Sequence, residues 1–360
     1  MNLSVKIAVA SMLDKTGIIS LVRNYRSTRG GLVLALHRVL PAEEAAKSFE
    51  PRITITDTVF EQFLILLRQE FHVVSLRQLL NQPEDTDGRQ RVAITFDDGW
   101  LDTYSYAYPL LLRYGLPATV FLCPGLMADG QMLPEERFVR IWRWCVKQQH
   151  IKLLLQDLRK WGLTGGESLL KQAWMRPLKR LAINAKLLML SHLETTYCVP
   201  KCDKRRFLTW DEVKIMRRSN ITFGAHTVHH STLTAEPEPS LEEELVNARE
   251  MIESKLQEQV SLFSYPNGAF DRHVTEMARR VGYSHCFTKQ QGSFRRNADQ
   301  YAIPRIEIAD SVVVNRFSSL HPSRVRLHLQ HFVRPVLALA ALALLHFSSS
   351  ALASMLPYSG

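Results

Sequence analysis

Two clusters of acidic and imidazole side chains stand out in the sequence, because together they could bind a metal ion and activate water. Asp97 and Asp98 are adjacent, and three histidines fall within five residues: His226, His229 and His230. Two imidazoles and one carboxylate leave open positions on a divalent ion, as a catalytic site requires, and His226, His230 and Asp98 are the candidate ligands. The neighbouring Asp97 could then act as a general base.

Each cluster directly follows a segment with the composition of a buried strand. Residues 91–96 are RVAITF, and residues 221–226 are ITFGAH. Active sites of parallel α/β proteins lie at the carboxyl ends of strands, so we expect both clusters at one rim of a sheet. We also expect residues 226–230 to curl as a helical turn, since residues four apart share one face of a helix.

Strand-like and helix-like segments alternate along most of the chain, which predicts an α/β fold with parallel strands. The predicted strands are 31–39, 91–96, 118–125, 221–226, 261–268, 284–288 and 301–308. The predicted helices are 58–70, 108–114, 210–218, 240–256 and 272–280.

The alternation stops at residues 128–206, where we predict a basic helical insertion. Residues 131–206 contain 16 Lys and Arg against 6 Asp and Glu, an excess equal to the net charge of +10 of the whole chain. Such a field attracts phosphates or anionic lipid headgroups, although a solvated helical surface would also explain it. The four tryptophans of the insertion could contact a membrane or form the core of a helical subdomain. No nucleic-acid-binding motif accompanies the charge, so we expect no nucleic-acid partner.

The N-terminal leader, residues 1–29, indicates where the protein works. Its apolar run is interrupted by Asp14 and is too short for a signal peptide. The five cysteines, including Cys198 and Cys202, have no zinc-finger spacing and favour reduced thiols. We therefore expect a cytoplasmic protein.

The C-terminal tail, residues 311–360, contains 22 uncharged residues from Pro335 to Leu356. Three arginines between residues 324 and 334 precede this stretch, as cytoplasmic basic flanks would. The pattern predicts an apolar helix. This helix either attaches the protein to the cytoplasmic face of the inner membrane or packs on the domain.

The motifs TFDDG at 95–99 and HTVHH at 226–230 resemble the first two motifs of the polysaccharide deacetylases, the NodB-homology or carbohydrate esterase family 4 group. Four further segments agree with this family: LHRV at 36–39, FLTWDEV at 207–213, FSYPNG at 263–268 and IPRIEI at 303–308. The resemblance covers residues 30–310. It implies a distorted (β/α) barrel of NodB type, here with a helical insertion and a C-terminal apolar helix.

The resemblance also implies a reaction. Asp97 would be the general base, and Asp98, His226 and His230 would hold a divalent ion, most often zinc, with cobalt, nickel or iron as alternatives. The enzyme would hydrolyse the acetyl amide, not a peptide bond, of an N-acetylhexosamine. Its substrate would be a polysaccharide or, since we expect no signal peptide, a lipid-linked glycan such as a lipopolysaccharide core or a polyprenyl-linked sugar. The basic insertion and the apolar tail would hold the enzyme at an anionic membrane surface, a second partner.

Two positions depart from the family pattern. The third motif usually carries an arginine two residues before its proline, and Ser264 stands there. Arg305 could supply that charge from a neighbouring strand. The final Leu-x-His motif, which supplies the general acid, is absent, and His37 at the end of the first predicted strand is the candidate in its place.

Two other functions use the same residues. The two-histidine, one-carboxylate set could hold iron for oxygen chemistry. The chain could also be a non-catalytic glycan- or membrane-binding protein of deacetylase ancestry. The intact set of Asp97, Asp98, His226 and His230 argues against lost activity.

Overall fold

A parallel β-sheet forms the centre of the protein. The computed structural model describes residues 3–17, 30–83, 89–128, 131–165, 171–315 and 318–329. The strands are β1 (Leu32–Leu36), β2 (Arg38–Leu40), β3 (Thr54–Thr56), β4 (His72–Val73), β5 (Arg91–Phe96), β6 (Ala118–Leu122), β7 (Ile221–Ala225), β8 (Leu262–Ser264), β9 (His285–Phe287) and β10 (Ile306–Glu307).

Seven of these strands lie side by side in the order β10, β1, β5, β6, β7, β8, β9, and all their pairings are parallel. A parallel bridge between Phe287 in β9 and Ile303 just before β10 brings the two ends of this sheet together. Strand β4 pairs with β5, while β2 and β3 form a separate pair. The sheet is thus curled into a distorted (β/α) barrel, which confirms the predicted fold class.

Helices surround the sheet and also form the insertion. They are α1 (Leu3–Lys15), α2 (Ala42–Ala45), α3 (Asp57–Glu70), α4 (Leu76–Asn81), α5 (Tyr108–Tyr114), α6 (Pro134–Lys147), α7 (Ile151–Lys160), α8 (Lys171–Lys179), α9 (Ile183–Thr196), α10 (Trp210–Arg217), α11 (Glu238–Leu256), α12 (Arg272–Val281), α13 (Asp310–Val313) and α14 (Pro322–Leu329). Residues 103–107 form a π-helical turn before α5. Ser75 and Thr209 begin α4 and α10 with capping boxes, and Gly115 ends α5 in a left-handed conformation.

Side chains alternate between the two faces of each strand, which separates two cores. In β5, Val92 and Ile94 belong to the large core between the sheet and the helices. Ala93 belongs to a smaller core with Phe121 and Phe287. The alternation therefore assigns Ala93 and the residues in phase with it to the inside of the barrel.

Some predicted boundaries were wrong. The predicted strand 31–39 is interrupted at His37, after which β2 leaves the barrel sheet and pairs with β3. The predicted strand 301–308 contains only β10, of two residues. Strands β3 and β4 were not predicted, because two or three residues are too few to establish a period.

The insertion has a hydrophobic core of its own. Trp142 and Trp174 are buried in that core, and Trp144 and Trp161 are partly buried against it. Of the two alternatives for these tryptophans, the structure therefore favours a helical subdomain over contact with a membrane.

Parts of the leader and tail pack against the barrel domain. Val325 and Leu329 of α14 are buried in the large core. Arg326 joins Asp14 of α1 and Glu70 of α3 in ion pairs. The predicted apolar helix between residues 335 and 356 lies outside the described residues. Among the helices that the structure describes, none has the length and apolar character needed to cross a bilayer.

Candidate active site

Three of the predicted site residues lie at the carboxyl end of the barrel, in phase with the inward-facing residues of their strands. His37, Asp97 and His226 directly follow the last residues of β1, β5 and β7. Each is at most 5% exposed. Since parallel strands end at one rim, side chains distant in sequence meet there, as the sequence predicted.

The three predicted metal ligands form one buried cluster. The Oδ1 atom of Asp98 lies 3.3 Å from Nε2 of His226 and 3.5 Å from Nε2 of His230. The ligand atoms of all three side chains lie within 4.8 Å of one another. The structure therefore brings together the set that the sequence identified.

The backbone of residues 226–230 differs from our expectation of a helical turn. Thr227 and His230 have φ angles of +62° and +59°, in the left-handed region. Glu244 holds this irregular loop, because its Oε2 accepts a hydrogen bond of 2.9 Å from the N–H of Val228. Left-handed conformations are costly for residues other than glycine, so the surrounding contacts must hold His230 in place.

The chemistry of this cluster fits a cation. The Nδ1 atom of His226 lies 2.6 Å from the carbonyl oxygen of Ser264, which can only accept, so Nδ1 carries a proton and, in the neutral tautomer, Nε2 presents a lone pair. Asp98 Oδ1 has no hydrogen-bond partner within the described ranges. Two facing acceptors repel unless a cation lies between them. Ligand atoms about 2.0–2.1 Å from a tetrahedral ion are about 3.4 Å apart, close to the distances of 3.3 and 3.5 Å from Asp98 Oδ1 to the two histidine nitrogens.

The other oxygen of Asp98 is held separately. Its Oδ2 accepts a hydrogen bond of 2.8 Å from the indole Nε1 of Trp100, which is fully buried. Such an outer contact orients a ligating carboxylate. Asp98 itself has a φ of +75°, so two of the three candidate ligands occupy left-handed backbone positions.

Asp97 forms a bidentate pair with Arg305. Two guanidinium nitrogens of Arg305 donate to the carboxylate at 2.8 and 2.7 Å. The hydroxyl of Ser264 joins both groups, donating to Asp97 at 3.3 Å and accepting from Arg305 at 2.9 Å. Burial alone would raise the pKa of Asp97, but the charge and hydrogen bonds of Arg305 outweigh it and hold that pKa well below its usual range.

A cavity of about 240 Å³ opens onto the cluster. His37, Asp98 and His230 line it. His37 Nε2 lies 3.8 Å from Oδ2 of Asp97. Burial, together with the positive charge of Lys289, lowers the pKa of His37. His37 is thus a buried imidazole at the wall of the cavity, beside Asp97.

Glu135, in the first turn of α6, also lines this cavity. Its Oε2 lies 3.8 Å from Nδ1 of His230, and it is 5% exposed. Burial would raise its pKa, but the nearby His230 and the buried Lys186 lower it. Sequence reasoning missed Glu135. The available signal was a pair of acidic residues opening an otherwise basic insertion.

His229, the remaining histidine of the motif, is not in the metal cluster. Its Nδ1 lies 2.7 Å from Oε1 of Glu244, and its backbone N–H donates to the same carboxylate. It therefore helps hold the loop that carries His230.

The protein is thus a parallel (β/α) barrel with a buried Asp–His–His cluster at its carboxyl end, beside an arginine-paired aspartate. Residues 84–162 and 166–286, more than half of the chain, match the family model described as polysaccharide deacetylase. The chain belongs to this family. The family that the sequence resemblance indicated is thereby confirmed.

Individual relatives are distant. The chain is 20% identical over 228 residues to YxkH of Bacillus subtilis (strain 168), a provisionally named polysaccharide deacetylase, and it spans 55% of that protein while 63% of this chain aligns. The fold is similar to that of the Streptococcus pyogenes deacetylase PplD in complex with acetate, with a TM-score of 0.54, 17% identity, and 83% and 98% of the two chains covered. For IcaB from Ammonifex degensii the TM-score is 0.53 at 18% identity, covering 84% and 97%. At these identities the structural likeness shows the shared fold alone.

Proposed function

We propose that this protein is a metal-dependent hydrolase that removes the N-acetyl group from an N-acetylhexosamine of a glycan. The observation that carries the proposal is the buried cluster of Asp98, His226 and His230 beside the Arg305-paired Asp97. A divalent ion held by the cluster would polarise the acetyl carbonyl and make the attacking water more acidic. Zinc is the ion we favour, because two imidazoles and a carboxylate suit it.

Asp97 is the proposed general base. Because Arg305 keeps the pKa of Asp97 low, the carboxylate is ionised at neutral pH and can accept a proton from the attacking water. The bidentate contact also fixes the plane of the carboxylate, so no rotation precedes the transfer. Arg305 is thus a positioning residue, acting through Asp97.

His37 is the proposed general acid. An amide nitrogen leaves as an amine only after it gains a proton, so a donor must face the cavity. His37 lines the cavity beside Asp97 Oδ2, and its Nδ1 is buried with no hydrogen-bond partner in the described part of the chain. Because burial lowers the pKa of His37, the ring starts neutral, takes up on Nε2 the proton that Asp97 accepted from water, and passes it to the leaving amine.

The substrate we propose is a glycan intermediate carried on a lipid, such as a lipopolysaccharide core or a polyprenyl-linked sugar, met at the cytoplasmic face of the inner membrane. The concentration of positive charge in the insertion supports this choice, because it attracts phosphates and anionic headgroups. A cytoplasmic location and attachment through the tail remain predictions of the sequence.

The proposal is tested by mass spectrometry of envelope glycolipids from a strain that lacks the protein. We expect one glycolipid to become heavier by one acetyl group in the deletion strain. The wild-type gene should restore the normal mass, and the Asp97→Asn gene should not. Restoration by Asp97→Asn would show that Asp97 is not the base. No change in any glycolipid would overturn the lipid-linked substrate.

A further inference from the structure

A second cavity, of about 680 Å³, lies between the insertion and the barrel. We name it the basic cavity, because eight of its lining side chains are Lys or Arg and three are Asp or Glu. It is lined by α6, by the segment from Val199 to Arg206, and by barrel residues near β2. A cavity with this balance concentrates anions.

The acidic side chains of the basic cavity are already paired. Asp102 accepts hydrogen bonds from Arg38 at 2.8 and 2.9 Å, and Glu136 accepts one from Arg206 at 2.6 Å. Glu44 accepts a hydrogen bond from a tyrosine and lies 3.9 Å from a lysine nitrogen. These carboxylates therefore cannot neutralise the remaining cations.

Three cations of the basic cavity are left over: Lys47, Arg143 and Lys147. None has a carboxylate partner among the described residues, although the ammonium group of Lys147 lies 5.9 Å from the ring centre of Trp144. Arg143, Trp144 and Lys147 share one face of α6, because residues three and four apart on a helix are neighbours. All three are solvent-exposed side chains that line the same cavity.

The basic cavity is separated from the metal cluster by one layer of side chains. Phe49 lines both cavities. The guanidinium of Arg38 lies 4.3 Å from the ring centre of Trp100, and the Phe49 ring centre lies 6.0 Å from it. Trp100 in turn donates its indole hydrogen bond to Asp98. The two cavities adjoin at Phe49, which is only partly buried, so a ligand that passes over this side chain could place its acetamido group at the cluster and an anionic group in the basic cavity.

We propose that the basic cavity binds a phosphate or diphosphate group of the substrate, so that the hydrolase acts on a phosphorylated N-acetylated sugar. This inference rests on the proposed function. A guanidinium binds two phosphate oxygens at once, and a lysine adds a mobile point charge, so Arg143 and Lys47 form a suitable pair. The diphosphate could belong to a lipid-linked sugar or to a nucleotide-linked one.

Pyrophosphate binding, measured by titration calorimetry on the full chain, tests the cavity directly. We expect the double variant Lys47→Ala/Arg143→Ala to bind at least about tenfold more weakly than the wild type, since each lost charge-assisted contact weakens binding. The matched control is Lys152→Ala/Lys255→Ala, which removes the same charge from two exposed lysines outside the cavity. Equal weakening in both variants, or no binding by the wild type, overturns the proposal.

Two further measurements separate the cavity from the metal cluster and identify the source of the diphosphate. Pyrophosphate binding should survive Asp98→Asn; its loss there would assign the binding to the cluster. A nucleoside-diphosphate N-acetylhexosamine and vesicles containing a prenyl diphosphate sugar are then tested as competitors. Competition by either one supports the proposal and names the source, while competition by neither overturns the phosphorylated substrate. Pyrophosphate binding by a protein that deacetylates nothing would contradict only the proposed hydrolase activity.

Discussion

The guanidinium of Arg305 meets the carboxylate of Asp97 across 208 positions of sequence, at the interior of the barrel, with neither side chain more than 1% exposed. Two more acceptors hold the guanidinium, the Thr288 carbonyl at 3.1 Å and the Thr95 hydroxyl at 3.3 Å. A buried charge pair is stable only when its remaining hydrogen-bonding capacity is satisfied. Here Ser264, at the position where the family usually has arginine, completes the network from a third strand.

This network predicts that Arg305→Lys lowers kcat by about 10–100-fold, because a lysine keeps the charge but cannot hold both carboxylate oxygens. KM and bound zinc should change little, since Arg305 does not touch the cluster. Steady-state kinetics and metal analysis of the purified variant check this. Retention of full activity would show that the pair has no role in orienting Asp97.

Replacing Arg305 by alanine should lower the stability of the protein. It leaves a buried carboxylate without a partner, so the free energy of unfolding should fall by about 3–5 kcal/mol. The exposed Arg272→Ala, which breaks an ion pair with Glu276, is the matched control and should leave the free energy of unfolding nearly unchanged, because solvent screens this pair. Equal stability of the two variants in urea titrations would show that the carboxylate of Asp97 does not depend on Arg305 to remain buried.

The metal cluster predicts that zinc stabilises the protein. An ion that binds only the folded state adds about 2.7 kcal/mol at a free concentration one hundred times its Kd. The rise in Tm on adding zinc should be lost in Asp98→Asn and kept in Asp211→Asn, whose side chain is 91% exposed. The same rise in wild type and Asp98→Asn would place the stabilising ion elsewhere.

The candidate metal cluster could be located from the sequence, because its residues directly follow strands that the sequence predicts. Asp97 and His226 follow long apolar strands, and the carboxyl ends of parallel strands share a rim. The same reasoning failed for the conformation of residues 226–230. The loop that carries the left-handed His230 is held by Glu244 of α11 through Val228 and His229, and such contacts carry no local signal.

Glu135 was missed for a different reason. It reaches His230 only because the insertion folds back over the mouth of the barrel, and no local period encodes that docking. The basic cavity was missed for the same reason. The sequence shows the excess charge of residues 131–206, but not that this charge lies across a cavity from Lys47 and Arg38. Local patterns therefore predicted the residues of single strands and helices, while contacts between the insertion and the barrel required the structure.

The position of Glu135 predicts a positioning effect on the metal site. Glu135→Gln keeps the size of the side chain and removes the charge that faces Nδ1 of His230, so the Kd for zinc should rise by about tenfold. Glu243→Gln, at an exposed position on α11, is the control. A competition titration with a chelator measures both. An unchanged Kd would mean that Glu135 has no influence on His230.

The separate core of the insertion predicts that it can be loosened without unfolding the barrel. Trp174 is fully buried, and Trp174→Ala should cost about 3–5 kcal/mol. Hydrogen exchange should show lost protection in α6 to α9 and retained protection in β1 and β5. Leu188→Ala, at a position 64% exposed, should leave the protection of both the insertion and the barrel unchanged. Loss of protection throughout the barrel would show that the two cores unfold as one unit.

The last prediction concerns His37 and its proposed proton transfer to the leaving amine. His37→Gln should lower kcat for an N-acetylated sugar by about 10²–10⁴-fold, the range for loss of a general acid. An aryl acetate ester needs no proton on its leaving group, so its hydrolysis should fall far less. Metal content should be unchanged, and the exposed His273→Gln should behave as the wild type. An equal fall with both substrates would show that His37 acts before the leaving group departs, in orienting Asp97 rather than in donating a proton.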